Sequence, residues 1–108
     1  MDKIMNEVCV FLADGFEEIE GLTVVDLLRR AGIETRTVSI MGQEEIKGAH
    51  GIIVKADSLF ENTDFSEVKM LVLPGGMPGT IHLKEHKGLE GLILKHNEEK
   101  KYLAAICA

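Results

Sequence analysis

The stretch Glu7-Val-Cys-Val-Phe-Leu-Ala13, closed by Asp14-Gly15, constrains this chain more than any other. Its unbroken apolar run is too short for a buried helix and is bounded by turn residues, which describes a strand covered on both faces. Such a strand needs a layer above and a layer below, and so belongs to a parallel sheet with helical crossovers rather than to a hairpin stack. The next segment agrees. From Glu17 to Ala31 the residues Ile19, Leu22, Val25, Leu28 and Ala31 recur every three positions. That is one apolar stripe of an amphipathic helix, and Gly32 supplies the left-handed residue that stops it. Glu34 to Ile40 alternates weakly and reads as a second strand, completing a βαβ unit with a right-handed crossover.

Further along, glycines at 42, 48 and 51 bracket short β-like pieces, of which Gly51-Ile-Ile-Val-Lys55 is the best strand. Lys69-Met-Leu-Val-Leu73 is another buried strand, ended by Pro74-Gly75-Gly76. Residues 86–99, with Leu89, Leu92 and Ile93, form a helix that returns the chain to a last strand, Tyr102 to Ile106. That strand is of the buried type and is expected in mid-sheet, with neighbours on both sides. The chain of 108 residues then stops on an apolar sequence, Leu103-Ala-Ala-Ile-Cys107-Ala108, where a polar tail would be usual, and the ending looks interrupted.

The formal net charge of −6 argues against nucleic acid or an anionic membrane as a partner, because both need a positive surface. Lysines cluster near 95–101 but alternate with glutamates, the pattern of a solvated helix end. No apolar run approaches the roughly 18–20 residues that span a bilayer, and no signal core follows the charged N-terminus. The expected location is cytoplasmic. Both cysteines, Cys9 and Cys107, sit inside apolar runs, without the spacing of a disulfide framework or a metal site. No cofactor and no metal is implied.

In an open parallel sheet the C-terminal ends of the strands share one edge, and ligands bind in the crevice there. Three segments arrive at it: Asp14-Gly-Phe-Glu-Glu-Ile-Glu20, Leu73-Pro-Gly-Gly76 and Ile106-Cys107-Ala108. With VVDLLRRAG and GIIVKAD between them, these pieces, in order ADGFEEIE, LVLPGGMPG and AAICA, resemble the successive signatures of the ThiJ/PfpI superfamily. The resemblance implies a flavodoxin-like three-layer α/β sandwich with a mostly parallel sheet, related to the class I glutamine amidotransferases and incomplete in this chain. Residues 1–108 are then the N-terminal part of a single domain, ending at the nucleophile elbow, the sharp turn that carries a nucleophile from strand into helix. The helix after the elbow and the family's histidine are expected beyond Ala108, in a remaining C-terminal segment on the same polypeptide or on a second chain.

Residue by residue, the resemblance makes Cys107 the nucleophile, against the bland alternative of one more buried cysteine. At an elbow its thiolate would face backbone N–H groups and a helix dipole. Cys9, mid-strand, reads as core. Glu20 lies in the first turn of the first helix, where a side chain leans back toward the crevice. Its plain role is to complement the dipole, together with Glu17 and Glu18, and the resemblance singles it out as the partner of the cysteine sulfur. Two like charges side by side oppose one another, so this pair works only if it shares a proton that Glu20 donates to the sulfur. Gly75 and Gly76 make a turn, and in the family this loop passes the nucleophile. Their N–H groups, with that of Ala108, would face the oxygen of a reacting carbonyl. Met77 and Pro78 shape the loop. His50 stands where some relatives carry an arginine near the dimer contact. His82, His86 and His96 read as surface residues on or beside helices, and all four histidines are expected outside the crevice. Arg29 and Arg30 end the first helix, where positive charge is favoured, and the resemblance adds Arg30 to a homodimer interface.

Three activities remain open at this point. One is a cysteine-dependent enzyme of the glyoxalase or deglycase type, acting on small α-oxoaldehydes or their adducts. Another is an oxidative-stress sensor or protective chaperone that uses a cysteine sulfinate. The third, an amidotransferase-like or protease-like hydrolase, needs a well-placed histidine as well.

Overall fold

Strand β1 (Val8–Leu12) sits at the centre of the molecule with all five residues buried. The structure, a computed structural model, describes residues 7–106. β1 leads into α1 (Glu18–Arg30), which returns the chain to β2 (Thr35–Ser39). β2 lies parallel to β1 with Val8 beside Thr35 and Leu12 beside Ser39. A short antiparallel hairpin comes after it, β3 (Glu45–Lys47) against β4 (Ile53–Lys55). The two-residue β5 (Ser58–Leu59) and a 3₁₀ turn (Phe60–Asn62) then lead to β6 (Met70–Leu73). Helices α2 (Gly79–Glu85) and α3 (Lys87–Glu98) carry the chain to β7 (Tyr102–Ala105). The main sheet runs β5-β2-β1-β6-β7 and every pairing in it is parallel.

Alternation along β1 feeds two cores, as burial on both faces requires. Cys9, Phe11 and Ala13 join Val38, Leu71, Leu83 and Leu89 on the side of α2 and α3. Val8, Val10 and Leu12 join Phe16, Val25 and Val72 on the side of α1. Phe11, Phe60 and Phe65 pack as tilted rings with centroids 5.1–6.2 Å apart. The fold class is therefore the expected one, a flavodoxin-like arrangement with a parallel sheet between helices.

Several local expectations change. The stripe on α1 does not hold at its ends: Ile19 is 75 % exposed and Ala31 is exposed, while Gly21, Leu22, Val25 and Leu28 face the core. A recurrence of three on a helix of 3.6 residues per turn drifts around the axis by about 60° per step, so its ends leave the buried face. α2 has no counterpart in the sequence pattern, where Pro78 and Gly79 read as loop. His96, expected at the surface, is 2 % exposed. His86 is half-buried: its Nδ1 accepts from the Leu89 N–H at 2.9 Å, capping α3, and its ring stands edge-on to Phe60. β7 pairs with β6 alone among the described residues, and Tyr102 and Leu103 are 70 % and 42 % exposed, so the expected mid-sheet burial is not met within this chain. No helix among the described residues is long and apolar enough to cross a membrane.

Candidate functional site

Because the sheet is parallel, the segments that leave β1, β6 and β7 emerge at one edge. Backbone bonds knit the first two together. The Glu17 N–H donates to Gly75 O at 2.8 Å, and the Gly79 N–H donates to Gly15 O at 3.3 Å. Gly76 has φ +104, and a Cβ there would collide with the Glu17 N–H and with Gly15 O, so the close approach of the two loops requires glycine. β7 reaches the same edge: the Ile106 N–H donates to Leu73 O at 2.9 Å, immediately before Pro74-Gly75-Gly76. A mainly apolar cavity of about 400 Å³, lined by Leu73, Pro74, Thr80 and Ile106 among others, adjoins this corner.

Glu20 is half-buried, and its Oε1 accepts from the Gly75 N–H at 3.1 Å. Its other carboxyl oxygen has no hydrogen-bond partner among the described residues. The expected neighbourhood of Glu20 and the glycine loop is thus present, with one difference. The Gly75 N–H, expected to face a reacting carbonyl, is taken by Glu20, because the loop passes over the first turn of α1 and the carboxylate is the nearest acceptor. Cys107 and Ala108 lie outside the described residues. Cys9 is fully buried in the β1 core, and burial pushes its thiol up to about 12, against a smaller opposing effect of Arg36.

The structure places a second constellation beside Glu20, one that the sequence does not signal. Glu18, 4 % exposed, reaches from α1 to the turn of the β3–β4 hairpin. Its Oε2 accepts from the His50 N–H at 2.8 Å and from the Ile52 N–H at 3.3 Å, and its Oε1 meets His50 Nδ1 at 2.8 Å. Burial alone would raise the Glu18 carboxyl, but the His50 ring and the backbone N–H groups of Glu18, His50 and Ile52 together bring it down to about 2. The His50 ring is raised above its ordinary value by its bond to Glu18 and by the charges of Glu17 and Glu18. Glu17 caps α1 by accepting from the Ile19 N–H at 3.1 Å, and its other oxygen lies 3.8 Å from His50 Nδ1. One ligand atom from each of Glu17, Glu18 and His50 falls within 4.8 Å of the others. The inner carboxylate oxygens already accept from backbone donors at a positive helix end, a setting that disfavours a cation. His50 shares a recess of about 480 Å³ with Glu20, Ile19 and Ile52, separate from the cavity at Leu73, Pro74 and Ile106. The only sequence hint is the pair Gly48 and Gly51 around it. A Cβ on Gly48 would run into the Glu18 carboxylate.

At the opposite end of the sheet, Arg29 donates to Thr35 O at 3.1 Å and to Asp57 Oδ2 at 2.7 Å, tying the end of α1 to β2. Arg30 pairs with Asp26 on its own helix. A cavity of about 540 Å³ lined by Arg29, Arg36 and Asp57 lies at this end, away from the crevice.

Both the sequence and this geometry have counterparts among known proteins. The profile of the DJ-1/PfpI family matches residues 6–108. Protein DJ-1 homolog A of Arabidopsis thaliana is 34 % identical over 107 residues, covering 99 % of this chain and 27 % of its own length. Deglycase TK1284 of Thermococcus kodakarensis is 33 % identical over 101 residues, covering 94 % of this chain and 60 % of its own. Among solved structures, oxidized Toxoplasma gondii DJ-1 superposes with a TM-score of 0.90 at 36 % identity, over 94 % of this chain and 55 % of that one. The chain therefore spans between about a quarter and six-tenths of the length of these relatives.

Proposed function

This chain belongs to the DJ-1/PfpI family, and on that premise we propose that the intact protein carrying it is a cysteine-dependent enzyme of the glyoxalase or deglycase type. Cys107 is the nucleophile, Glu20 its acid partner, and small α-oxoaldehydes or their adducts are the substrates. The observation that carries this reading is the 3.1 Å bond from the Gly75 N–H to Glu20 Oε1 at the edge where β7 also arrives. One carboxyl oxygen is held by the glycine loop, and the other remains for a sulfur or a substrate oxygen.

In this reading the Cys107 thiolate adds to the aldehyde carbon. A C–S bond forms, the π electrons move to oxygen, and the proton shared with Glu20 passes to that oxygen. Because the Gly75 N–H is occupied by Glu20, the donors for the developing oxyanion are assigned to Gly76 and Ala108. The remaining C-terminal segment supplies the elbow helix and the histidine, the active species is a homodimer with Arg30 at its interface, and its compartment is the cytoplasm. Turnover of methylglyoxal by the intact protein tests the proposal. Loss of turnover in Cys107→Ser is expected, and retention would remove the cysteine from the chemistry.

A relative described as oxidized DJ-1 favours stating one other reading. In it Cys107 is oxidised to a sulfinate held by Glu20 and the elbow amides, and the protein senses oxidants. Dilute peroxide followed by peptide mass analysis would then show two added oxygens on Cys107 with no methylglyoxal turnover at any stage.

A further inference from the structure

The Glu18–His50 pair performs no task in the chemistry above, yet Glu18 shares the first turn of α1 with the proposed acid, two residues before it. We infer that His50 is a pH-dependent positioning residue for Glu20, acting by holding the turn of the β3–β4 hairpin against the first turn of α1. This rests on the reading of Glu20 as the acid of the site.

Contacts run without a gap from one group to the other. His50 and Ile52 give three hydrogen bonds to the Glu18 carboxylate, two from backbone N–H groups and one through the ring. The same turn is tied to the segment before α1 by the Ala49 N–H to Phe16 O at 2.8 Å, and β3 by the Gly15 N–H to Lys47 O at 2.8 Å. Asp14 Oδ1 accepts from the Lys47 N–H at 3.0 Å. The first turn of α1 in turn holds the glycine loop, through Glu17 N–H to Gly75 O and Gly75 N–H to Glu20 Oε1. The first turn of α1 therefore stands between two clamps, the glycine loop on one side and, on the other, the hairpin turn, whose bonds to Glu18 include one through an imidazole.

Among the described residues, the ionisable groups that line the recess with His50 are Glu17, Glu18 and Glu20, all on or beside the first turn of α1. All three are acids, so the site favours the imidazolium, and the raised His50 value agrees. Its folded value lies above the ordinary 6.5. The contribution of the charged clamp is thus complete below 6.5 and is lost as the pH climbs through the folded value. Glu18, held near 2, remains ionised throughout that window. Within the Glu18–His50 pair, the imidazolium is the partner that switches.

The test is an amide and imidazole NMR titration of the intact protein. The His50 ring is expected to titrate above its ordinary value, and the amides of Ile52 and Gly75 to shift with the same midpoint. His50→Gln keeps a side-chain donor without charge: the midpoint should vanish from both amides, and exchange of the N–H groups at positions 50 and 52 at about pH 6 should rise roughly threefold to tenfold. His50→Arg should hold both amides at their low-pH positions through the whole range. A Gly75 amide that stays flat while Ile52 follows His50 would overturn the inference, since the clamp would then be local. So would an Arg variant that behaves like Gln. A different result, cysteine ionisation indifferent to Glu20→Gln, would sink the acid assignment while leaving the amide coupling in place, so the two failures are separable.

Discussion

A thiol reacts through its thiolate, and Cys9 has almost none to offer at neutral pH, being fully buried with its proton affinity raised to about 12. Brief alkylation of the folded intact protein with iodoacetamide is therefore expected to label Cys107 and spare Cys9. Peptide mapping that finds Cys9 labelled first would contradict the assignment. The three glutamates around the first turn of α1 should also separate. Glu20→Gln is expected to change the ultraviolet thiolate titration while leaving the fold intact. Glu17→Ala removes the cap on Ile19 and should cost about 1 kcal/mol of stability without moving that titration. Much of this is legible in the residues. Side chains of a first helical turn lean toward the crevice, and that places Glu20. The Glu18–His50 contact is not legible, because it closes over 32 positions through the geometry of a hairpin turn, and no periodicity marks such a contact. His96 misleads for a related reason: a polar residue near a charged helix end reads as surface, yet this one lies on the buried face of α3.

At the scale of elements, the two loops at the crevice fit only because Gly76 lacks a side chain. Gly76→Ala would add a Cβ against Glu17 and Gly15 at a backbone angle of +104 and is expected to destabilise the protein by about 1–3 kcal/mol, measured by denaturant unfolding. The hairpin clamp should also show an acid limit. The Glu18 carboxyl is depressed, so what its charge contributes is present above the ordinary value of 4.5 and is lost as the pH falls toward about 2. Amide exchange at Ile52 in acid is expected to accelerate across that window and to lose the dependence in Glu18→Gln. The strands β1 and β6 are readable from their apolar runs, β2 from its weak alternation, and α1 from its stripe and its glycine stop. β5, with two residues, and α2, with seven residues beginning at the glycine of Pro78-Gly79, carry too little pattern to stand out from loop, and tertiary packing decides them.

For the whole molecule, the parallel order β5-β2-β1-β6-β7 grows from one feature, a strand apolar on both faces followed at once by an amphipathic helix. β7 carries an open edge and an exposed Tyr102 among the described residues, and this chain covers 55 % of the matched Toxoplasma gondii structure. Residues 1–108 alone are accordingly expected to aggregate and to leave unprotected in exchange those β7 amides that do not donate to β6, whereas the intact protein should protect them and run as a dimer in light scattering. The proposed chemistry is a covalent bond from Cys107 to an α-oxoaldehyde, with Glu20 as the proton partner. Its most direct measurement is mass analysis of the intact protein quenched within one turnover of methylglyoxal, beside Cys107→Ser and Glu20→Gln. A single adduct mapped to Cys107 is predicted, absent in the Ser variant and formed more slowly in the Gln variant. Turnover that proceeds with no adduct on Cys107, or at an unchanged rate in Cys107→Ser, would contradict it.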